Sequence, residues 1–585
     1  MATMTMMEEP QAMVLMAPSK IELLPIELKL DITSYVCFPH SSWSMILIIS
    51  QLYRRRDLLN LSMTCKDLED VVLRRLYQNV NVEMPQSKTM SWNMGPLPHF
   101  RKHVVASMQE LTLRNGYMDP RDPVYSRRRR SDRGSIDAYV KDLVSGIPDN
   151  QLKSFSYLHR TPMSLDLFAI LQKKHGRSLK ELRFYEIEML WHGGMIPPQN
   201  LNTIECRSVH ESDAIGAMVV ANKNTLQRLR LGQEMDLVEQ YRHSRVGFLD
   251  RITQPLDLFT SDVKLPLLPN LREIALFGLD VTSLIPQSVS DALFFCQIEH
   301  MTLESCNGVT PLLETLAGTF HYAQNTTDMQ KRTPKMAAFL FRHEAFSAAM
   351  KDSLIRFLAS FRGLETLSLL FENATFLERP SALIAEHGPT LKSLVLESRI
   401  QPREHLGLDP SRPFGVGGFN QQLWEESIQD ICDLCPNLIE LGTGFPWNDE
   451  MVRIRRSALP SLTKLRTIHI RNFPESQVLS QLGDYSIKEY ATKFIEWVYP
   501  ALVGGSRPAL ETLAIGPTLY ETRWKSNPAR RMPPEFLRTH HYCLDWAKTR
   551  FGRWSPLITG VSERYMEEYR GSAPLGGIFE QVWLR

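Results

Sequence analysis

Cys432 and Cys435 form a C-x-x-C, a spacing that can hold a metal or cycle between thiols and disulfide. A zinc site needs a second ligand pair at similar spacing, and the sequence supplies none. A redox pair needs a thioredoxin-like setting. This pair instead ends an amphipathic stretch just before Pro436-Asn437-Leu438, where cysteines fill small core positions. His540-His541-Tyr542-Cys543 also lacks partners at ligand spacing. Gly415-Val416-Gly417-Gly418 departs from the G-x-G-x-x-G order and follows a Pro-rich loop, so no dinucleotide site is argued. No P-loop, H-E-x-x-H, G-x-S-x-G or RING-type zinc array occurs. A non-catalytic chain without metal or cofactor is expected. Arg127-Arg128-Arg129-Arg130 with Arg133 is the one dense basic cluster, suited to an import signal or a phosphate-contacting loop. It equally suits a solvated loop, since Asp119, Asp122 and Asp132 flank it.

The elements that carry these residues belong to a chain of 585 residues, too long for one ordinary core unless it is a repeat array. Hydrophobic residues make up 43% and charged residues 23%, which excludes wholesale disorder. The net charge is +2, so no global footprint for nucleic acid is visible and nucleic acid is not an expected partner. Eight scattered cysteines do not make a secreted disulfide scaffold. The first twenty residues lack a basic n-region and a long apolar h-region, and the apolar run Trp43–Tyr53 falls short of the roughly 20 residues that span a bilayer. These features lead to the expectation of a soluble, reduced, intracellular protein of cytoplasm or nucleus, with no membrane partner.

A phrase of form apolar-x-x-apolar-x-apolar recurs. It reads Met108-Leu111-Leu113, Leu179-Leu182-Phe184, Leu201-Ile204-Cys206, Leu226-Leu229-Leu231, Leu271-Ile274-Leu276 and Ile298-Met301-Leu303. It returns as Leu364-Leu367-Leu369, Leu391-Leu394-Leu396, Leu465-Ile468-Ile470 and Leu510-Leu513-Ile515, with weaker copies at Leu152 and Leu438. The last two apolar positions lie two apart, as in a short strand with one buried face. Several phrases follow helical spacing, such as Leu165-Phe168-Leu171 and Trp424-Ile428-Ile431. Helix, turn and short strand at this period predict an α/β leucine-rich-repeat solenoid with a parallel sheet. Residues 116–150, 233–265, 319–351 and 401–420 break the rhythm and read as loops or insertions. The tail after 521 carries Trp524, Trp546, Trp554 and Trp583, which predicts a docked C-terminal cap.

Residues 20–80 have a different grammar. Leu24-Pro25-Ile26-Glu27-Leu28-Lys29-Leu30-Asp31-Ile32 places proline where a first helical turn tolerates it, with Leu24, Leu28 and Ile32 on one face. Asp57-Leu58-Leu59-Asn60-Leu61-Ser62-Met63-Thr64-Cys65-Lys66-Asp67-Leu68 follows, then Leu76-Tyr77. These three phrases, in this order and ahead of leucine-rich repeats, resemble an F-box, a small three-helix module. The resemblance is closest to the F-box/leucine-rich-repeat proteins of filamentous fungi. It implies a fold of tail (1–19), three-helix all-α F-box (20–80), linker (81–105), irregular solenoid (106–520) and C-terminal cap (521–585). It also implies a substrate receptor of a Skp–cullin–F-box ubiquitin ligase. The F-box would dock a Skp-type adaptor, and through it a cullin, by Leu24, Pro25, Glu27, Leu28, Ile32, Leu58, Leu59, Leu61, Cys65 and Leu68. A module this small cannot bury so many apolar side chains alone, so a partner patch is expected. The rival reading is a leucine-rich-repeat scaffold that binds partners without any ligase.

In each phrase the residues between the buried apolar positions point away from the core, and a curved solenoid lines its concave side with them. On that geometry Arg183, Tyr185, Glu205, Arg207, Arg228, Arg230, Phe277, His300 and Glu304 are the candidate substrate-binding residues. Arg183, Arg207, Arg228 and Arg230 form a basic ridge interrupted by Glu205, which suits an acidic or phosphorylated protein segment.

One stretch interrupts the F-box. Joining Tyr35 to Leu52 restores a continuous module and leaves out Val36–Gln51, 16 residues or 48 nucleotides. It begins Val-Cys, which G-T-A-T-G-T can encode, and ends Gln, which C-A-G can encode; these are common ends of short fungal introns. The stretch reads either as an intron retained in the gene model or as a true loop whose Trp43, Met45, Ile46, Leu47, Ile48 and Ile49 pack on the module. An apolar run exposed beside a docking surface lowers solubility, which favours the intron. The expected mature transcript lacks these 48 nucleotides; a transcript that keeps them makes the insertion a structural element.

Overall fold

Sixteen strands in strict chain order build the sheet of this mixed α/β protein. A computed structural model of the chain describes residues 77–84, 102–115, 133–159, 162–187, 197–209, 212–232, 268–285, 294–325, 333–343, 347–372, 381–399, 421–444, 458–471, 486–499, 507–516 and 539–561. The candidate adaptor-binding residues Leu24 to Leu68, the stretch 36–51, the arginine run at 127–130 and the glycines at 415–418 lie outside these.

The strands are β1 (Asn79–Met84), β2 (Glu110–Asn115), β3 (Ser154–Leu158), β4 (Glu181–Phe184), β5 (Thr203–Cys206), β6 (Arg228–Gly232), β7 (Glu273–Phe277) and β8 (His300–Glu304). They continue as β9 (Ala338–His343), β10 (Thr366–Glu372), β11 (Ser393–Arg399), β12 (Glu440–Thr443), β13 (Thr467–Ile470), β14 (Thr512–Ile515), β15 (His540–Lys548) and β16 (Trp554–Val561). The helices among the described residues are α1 (Lys102–Val105), α2 (Arg133–Gly146), α3 (Leu165–His175), α4 (Ser212–Ala221), α5 (Val309–Asn325), α6 (Ala348–Ala359), α7 (Ser381–Ile384), α8 (Gln421–Leu434) and α9 (Ile487–Val498). None is long and apolar enough to cross a membrane. Two compact units are distinguished, Met1–Val80 with Pro98–Glu110, and Asn81–Leu97 with Leu111–Arg585. In the smaller, the Gln78 carbonyl accepts from the Gln109 and Glu110 amides, each at 2.9 Å.

From β3 to β14 every neighbour is parallel. Parallel strands joined in sequence need crossovers of one hand, and one hand with one direction of travel sends every helix to the same side. Accordingly α2 packs on α3, α5 on α6, α6 on α7 and α7 on α8. The register is uniform. One core row runs Phe155, Leu182, Ile204, Leu229, Ile274, Met301, Phe339, Leu367, Leu394, Leu441, Ile468, Leu513, and a second starts Tyr157, Phe184, Cys206, Leu231. All of these side chains are buried. Burial pushes the Cys206 thiol up to about 12, so it behaves as a small apolar filler.

Local signals fix the helix starts. Ser164 accepts from the Leu167 amide at the head of α3, and Ser347 does the same for Met350 at α6. Ser486 and Glu489 form a reciprocal capping box at α9. The turns between helix and strand share a device. The phrases His175-Gly-Arg-Ser178-Leu179, Asn222-Lys-Asn-Thr225-Leu226 and His387-Gly-Pro-Thr390-Leu391 each place a buried His or Asn four residues before the first core leucine. In all three, that residue's carbonyl accepts from the leucine amide, at 2.8, 2.9 and 3.0 Å. The hydroxyl before the leucine donates back to the preceding unit, from Ser178 to the Leu152 carbonyl at 2.8 Å, Thr225 to Leu201 at 2.8 Å and Thr390 to Leu364 at 2.6 Å. Asn222 accepts from the Leu201 amide and donates to the carbonyls of Pro198 and Met218.

Three expectations need correction. Within 319–351, read as a rim loop, α5 runs to Asn325 and β9 forms a full member of the sheet. Its phrase is Met336-Phe339-Phe341, with aromatic residues where the other copies carry leucine, and the Phe rings of 320, 339, 357 and 361 pack together there. The span 116–150 contains helix α2, and the span 81–105 read as linker contains most of β1 and all of α1. The tail forms a hairpin, β15 and β16, antiparallel to β14 and to each other.

Burial holds the His387 ring down to about 4, with the Leu358 carbonyl and Glu386 opposing, and lowers His175 in the same way against the Val144 carbonyl. An unfolded histidine takes its proton near 6.5, so between that pH and about 4 unfolding takes up a proton that the folded ring refuses. Stability therefore falls as pH drops through this window, by up to about 3 kcal/mol for His387. Urea unfolding of the full chain at pH 7 and pH 4.5 is expected to show this loss. His387→Asn, the residue found in the equivalent place at 222, is expected to flatten it.

Candidate functional site

Alternation along each strand gives the sheet an outer face, turned away from the core rows. Register sets the residues of that face side by side. Glu181, Thr203, Arg228, Glu273 and His300 occupy one row, and Arg183, Glu205, Arg230 and Ala275 the next. Phe277, Glu304 and Arg342 continue a third row across β7, β8 and β9. The candidate residues of β4–β8 thus fall on one face, as the alternation requires; Tyr185 and Arg207 follow directly on β4 and β5.

The ridge is not simply basic. Arg183 reaches Glu181 at 3.0 Å, Arg207 reaches Glu205 at 3.0 Å, and Arg230 reaches Glu273 at 2.6 Å and Glu205 at 4.0 Å. Arg228 stands 3.7 Å from Glu273. Each arginine has a carboxylate beside it; the pairs of Arg228 and Arg230 cross β5–β7 as a ladder, and Arg183–Glu181 stands next to it within β4. Glu205 and Glu273 lie deeper than Arg183, Arg228 and Arg230, with the Glu205 side chain 4% exposed and the Arg228 side chain 51%; Arg207 is itself nearly buried. Glu304, one strand further, is raised by burial and held back by Arg342.

Glu181 and Glu273 complete this ladder and were not among the candidates. Both occupy the same phrase position as Arg228, immediately before the second apolar residue, so the signal was present. The expectation weighed single residues by charge sign and passed over the acids that pair with them.

A second ion pair lies toward the other end. Arg471, directly after β13, crosses β12 to reach Glu397 in β11, and both side chains are almost wholly buried. On the way it passes over Gly442 of β12. A Cβ there would stand 3.5 Å from the Arg471 Cδ and 3.1 Å from a Val395 methyl. His469, on the same face, is fully buried and its Nε2 lies 2.9 Å from the Gly516 carbonyl oxygen. The outer face of β11–β14 is thus enclosed, whereas on β4–β8 Arg228 and His300 are exposed and Arg183 and Arg230 half-buried above buried Thr203, Glu205, Ala275 and Thr302.

Elsewhere the titratable groups serve packing. Burial pushes the thiols of Cys432 and Cys435 to about 12, far from the thiolate a metal or disulfide exchange would use. His541 and Tyr542 are buried in β15. Among the described residues no group of three His, Cys, Asp or Glu is placed to hold a metal. What the outer face can do chemically is bind, through positioned guanidinium forks. No protein-family model matches the chain, and comparison with curated proteins finds no match either.

Removing Arg471 strands a buried carboxylate. Arg471→Met is expected to cost about 3–5 kcal/mol in denaturant unfolding of the full chain. Combining it with Glu397→Leu is expected to recover most of that loss, since the cost lies in the uncompensated charge rather than in the absent pair.

Proposed function

We propose that the protein is the non-catalytic substrate-recognition subunit of a Skp–cullin–F-box ubiquitin ligase. On this reading an N-terminal F-box docks the Skp adaptor and a leucine-rich-repeat solenoid holds the protein to be ubiquitinated. The observation that carries it is the ordered set of phrases at Leu24–Ile32, Asp57–Leu68 and Leu76–Tyr77, standing directly ahead of the repeated strand phrase. The chain-ordered parallel sheet supports the solenoid half. Each strand offers two core side chains that only the neighbouring units can cover, which is the physical definition of a stacked repeat array. The receptor contributes binding and placement, and the chemistry belongs to other subunits.

The test is co-purification of the full-length chain with a Skp-type adaptor. The wild type is expected to retain the adaptor through size exclusion, and Leu28→Asp with Leu61→Asp is expected to lose it while keeping the same melting profile. A wild type that never associates with the adaptor leaves a repeat scaffold without a ligase.

A further inference from the structure

We propose that the outer face of β4–β7 binds an extended segment of a partner protein rich in aspartate and glutamate. The inference rests on the receptor reading for the partner being a protein, and it names the chemistry by which that partner is held.

The vertical arrangement of charge is the first argument. In the ladder the carboxylates of Glu205 and Glu273 are 4% and 16% exposed, while Arg183, Arg230 and Arg228 are 34%, 31% and 51% exposed. Glu205 and Glu273 form a floor, with Arg207 at 12% within it and Glu181 at 28% beside Arg183, while Arg183, Arg228 and Arg230 stand above it. Lys180, exposed at the entry to β4, adds to the same sign. The second argument is preorganisation. A free arginine loses considerable rotamer freedom when it grips a ligand. Here Glu205 and Glu273 already hold Arg207 and Arg230 through Nε at 3.0 and 2.6 Å, so part of that loss is met in the fold. A guanidinium has five N–H donors, enough to serve a floor carboxylate and a ligand carboxylate together.

Spacing selects the ligand. Arg183 and Arg230 occupy the same register position of β4 and β6 with Glu205 of β5 between them, so at about 4.8 Å per strand spacing they arise roughly 10 Å apart. A phosphate group concentrates its charge at one point and is best met by guanidinium groups converging on it. An extended acidic segment instead presents a carboxylate to one side about every 7 Å, and can set two of them against such a pair. Distributed charge on the protein matches distributed charge on the ligand. The location follows from burial: at β11–β14 Glu397 and Arg471 are sealed, whereas Arg183, Arg228 and Arg230 on β4 and β6 reach solvent.

The experiment is fluorescence anisotropy of the purified full-length chain with fluorescein-labelled dodeca-glutamate. Dodeca-glutamine and a neutral peptide bearing one phosphoserine serve as comparison probes. Dodeca-glutamate is expected to bind and to weaken severalfold between low salt and 0.3 M salt, where the screening length falls below the span of the ladder. Arg228→Glu with Arg230→Glu is expected to weaken it about tenfold or more. Arg228→Gln, which keeps the Arg230–Glu273 pair and so guards against misfolding, is expected to weaken it about threefold. Undetectable binding of dodeca-glutamate, equal binding by the charge-reversed variant, or a preference for the phosphoserine peptide overturns the proposal. Because no adaptor is present, a chain that binds the peptide but fails to co-purify with the adaptor sinks the receptor reading alone.

Discussion

The structure depends on a shortage of burial within each unit. A strand of four to seven residues with two inward side chains cannot cover them, nor can the single helix beside it, so each unit is completed only by its neighbours. Parallel pairing in one register answers this shortage by stacking equivalent residues into continuous rows, from Phe155 to Leu513 in one and from Tyr157 to Ile515 in the other. The same register has a consequence on the other face. Residues that alternate with the core rows are brought into line across strands at the strand spacing, whatever their chemistry. An ion-pair ladder is therefore not an added feature of β4–β7. It results from placing Arg and Glu at equivalent outward positions of consecutive units.

The two halves of the outer face use ion pairs differently. At β4–β7 the pairs are partly wet, and such pairs contribute little to stability, with exposed examples worth about 1 kcal/mol or less. Their worth lies in orientation, because a pinned guanidinium keeps its direction. At β11–β13 the Glu397–Arg471 pair is dry, spans two strand spacings and passes over Gly442. Replacement of such a pair by apolar residues is often neutral, so its role is to specify how β11, β12 and β13 lie together rather than to strengthen the fold.

Much of this architecture was legible in the sequence because its signal is periodic and apolar. Leucine and isoleucine at the three phrase positions foretold the strands from β4 to β8 and β10, β11, β13 and β14, and the weak copies at Leu152 and Leu438 foretold β3 and β12. β9 was lost because Met336, Phe339 and Phe341 carry the same shape of burial with a different composition. β1 was lost because Val80, Val82 and Met84 alternate without the leading leucine of the phrase. The turn device at His175, Asn222 and His387 escaped notice since its three copies stand far apart, although the recurrence of Ser or Thr before leucine was visible. On the outer face the arginines were found together with Glu205 and Glu304, whereas Glu181 and Glu273 were not. A charge reads clearly in isolation, but a pair across strands requires the register, and register appears only when strands are assigned to neighbours. The Glu397–Arg471 pair, 74 residues apart, was beyond any local pattern.

A stack of parallel units also needs an end, and the C-terminal hairpin shows what an end requires. Beyond β14 another parallel strand would recreate the same uncovered edge, so the chain reverses and pairs β15 antiparallel to it. Reversal alone satisfies the backbone but leaves the core row open at its last member. Trp546 closes it: the indole N–H donates to the Leu510 carbonyl at 2.9 Å and the ring meets Tyr499 edge-on at 5.7 Å. Burial of that tyrosine pushes its hydroxyl well above the ordinary phenol value, in keeping with an apolar plug. β16 then takes the last place in the sheet among the described residues, and Pro556, opposite Trp546, removes one backbone N–H from that strand. Proline on a terminal strand weakens it as a template for further pairing. The array is thus ended twice, by an aromatic side chain that completes the core and by a strand unsuited to extension.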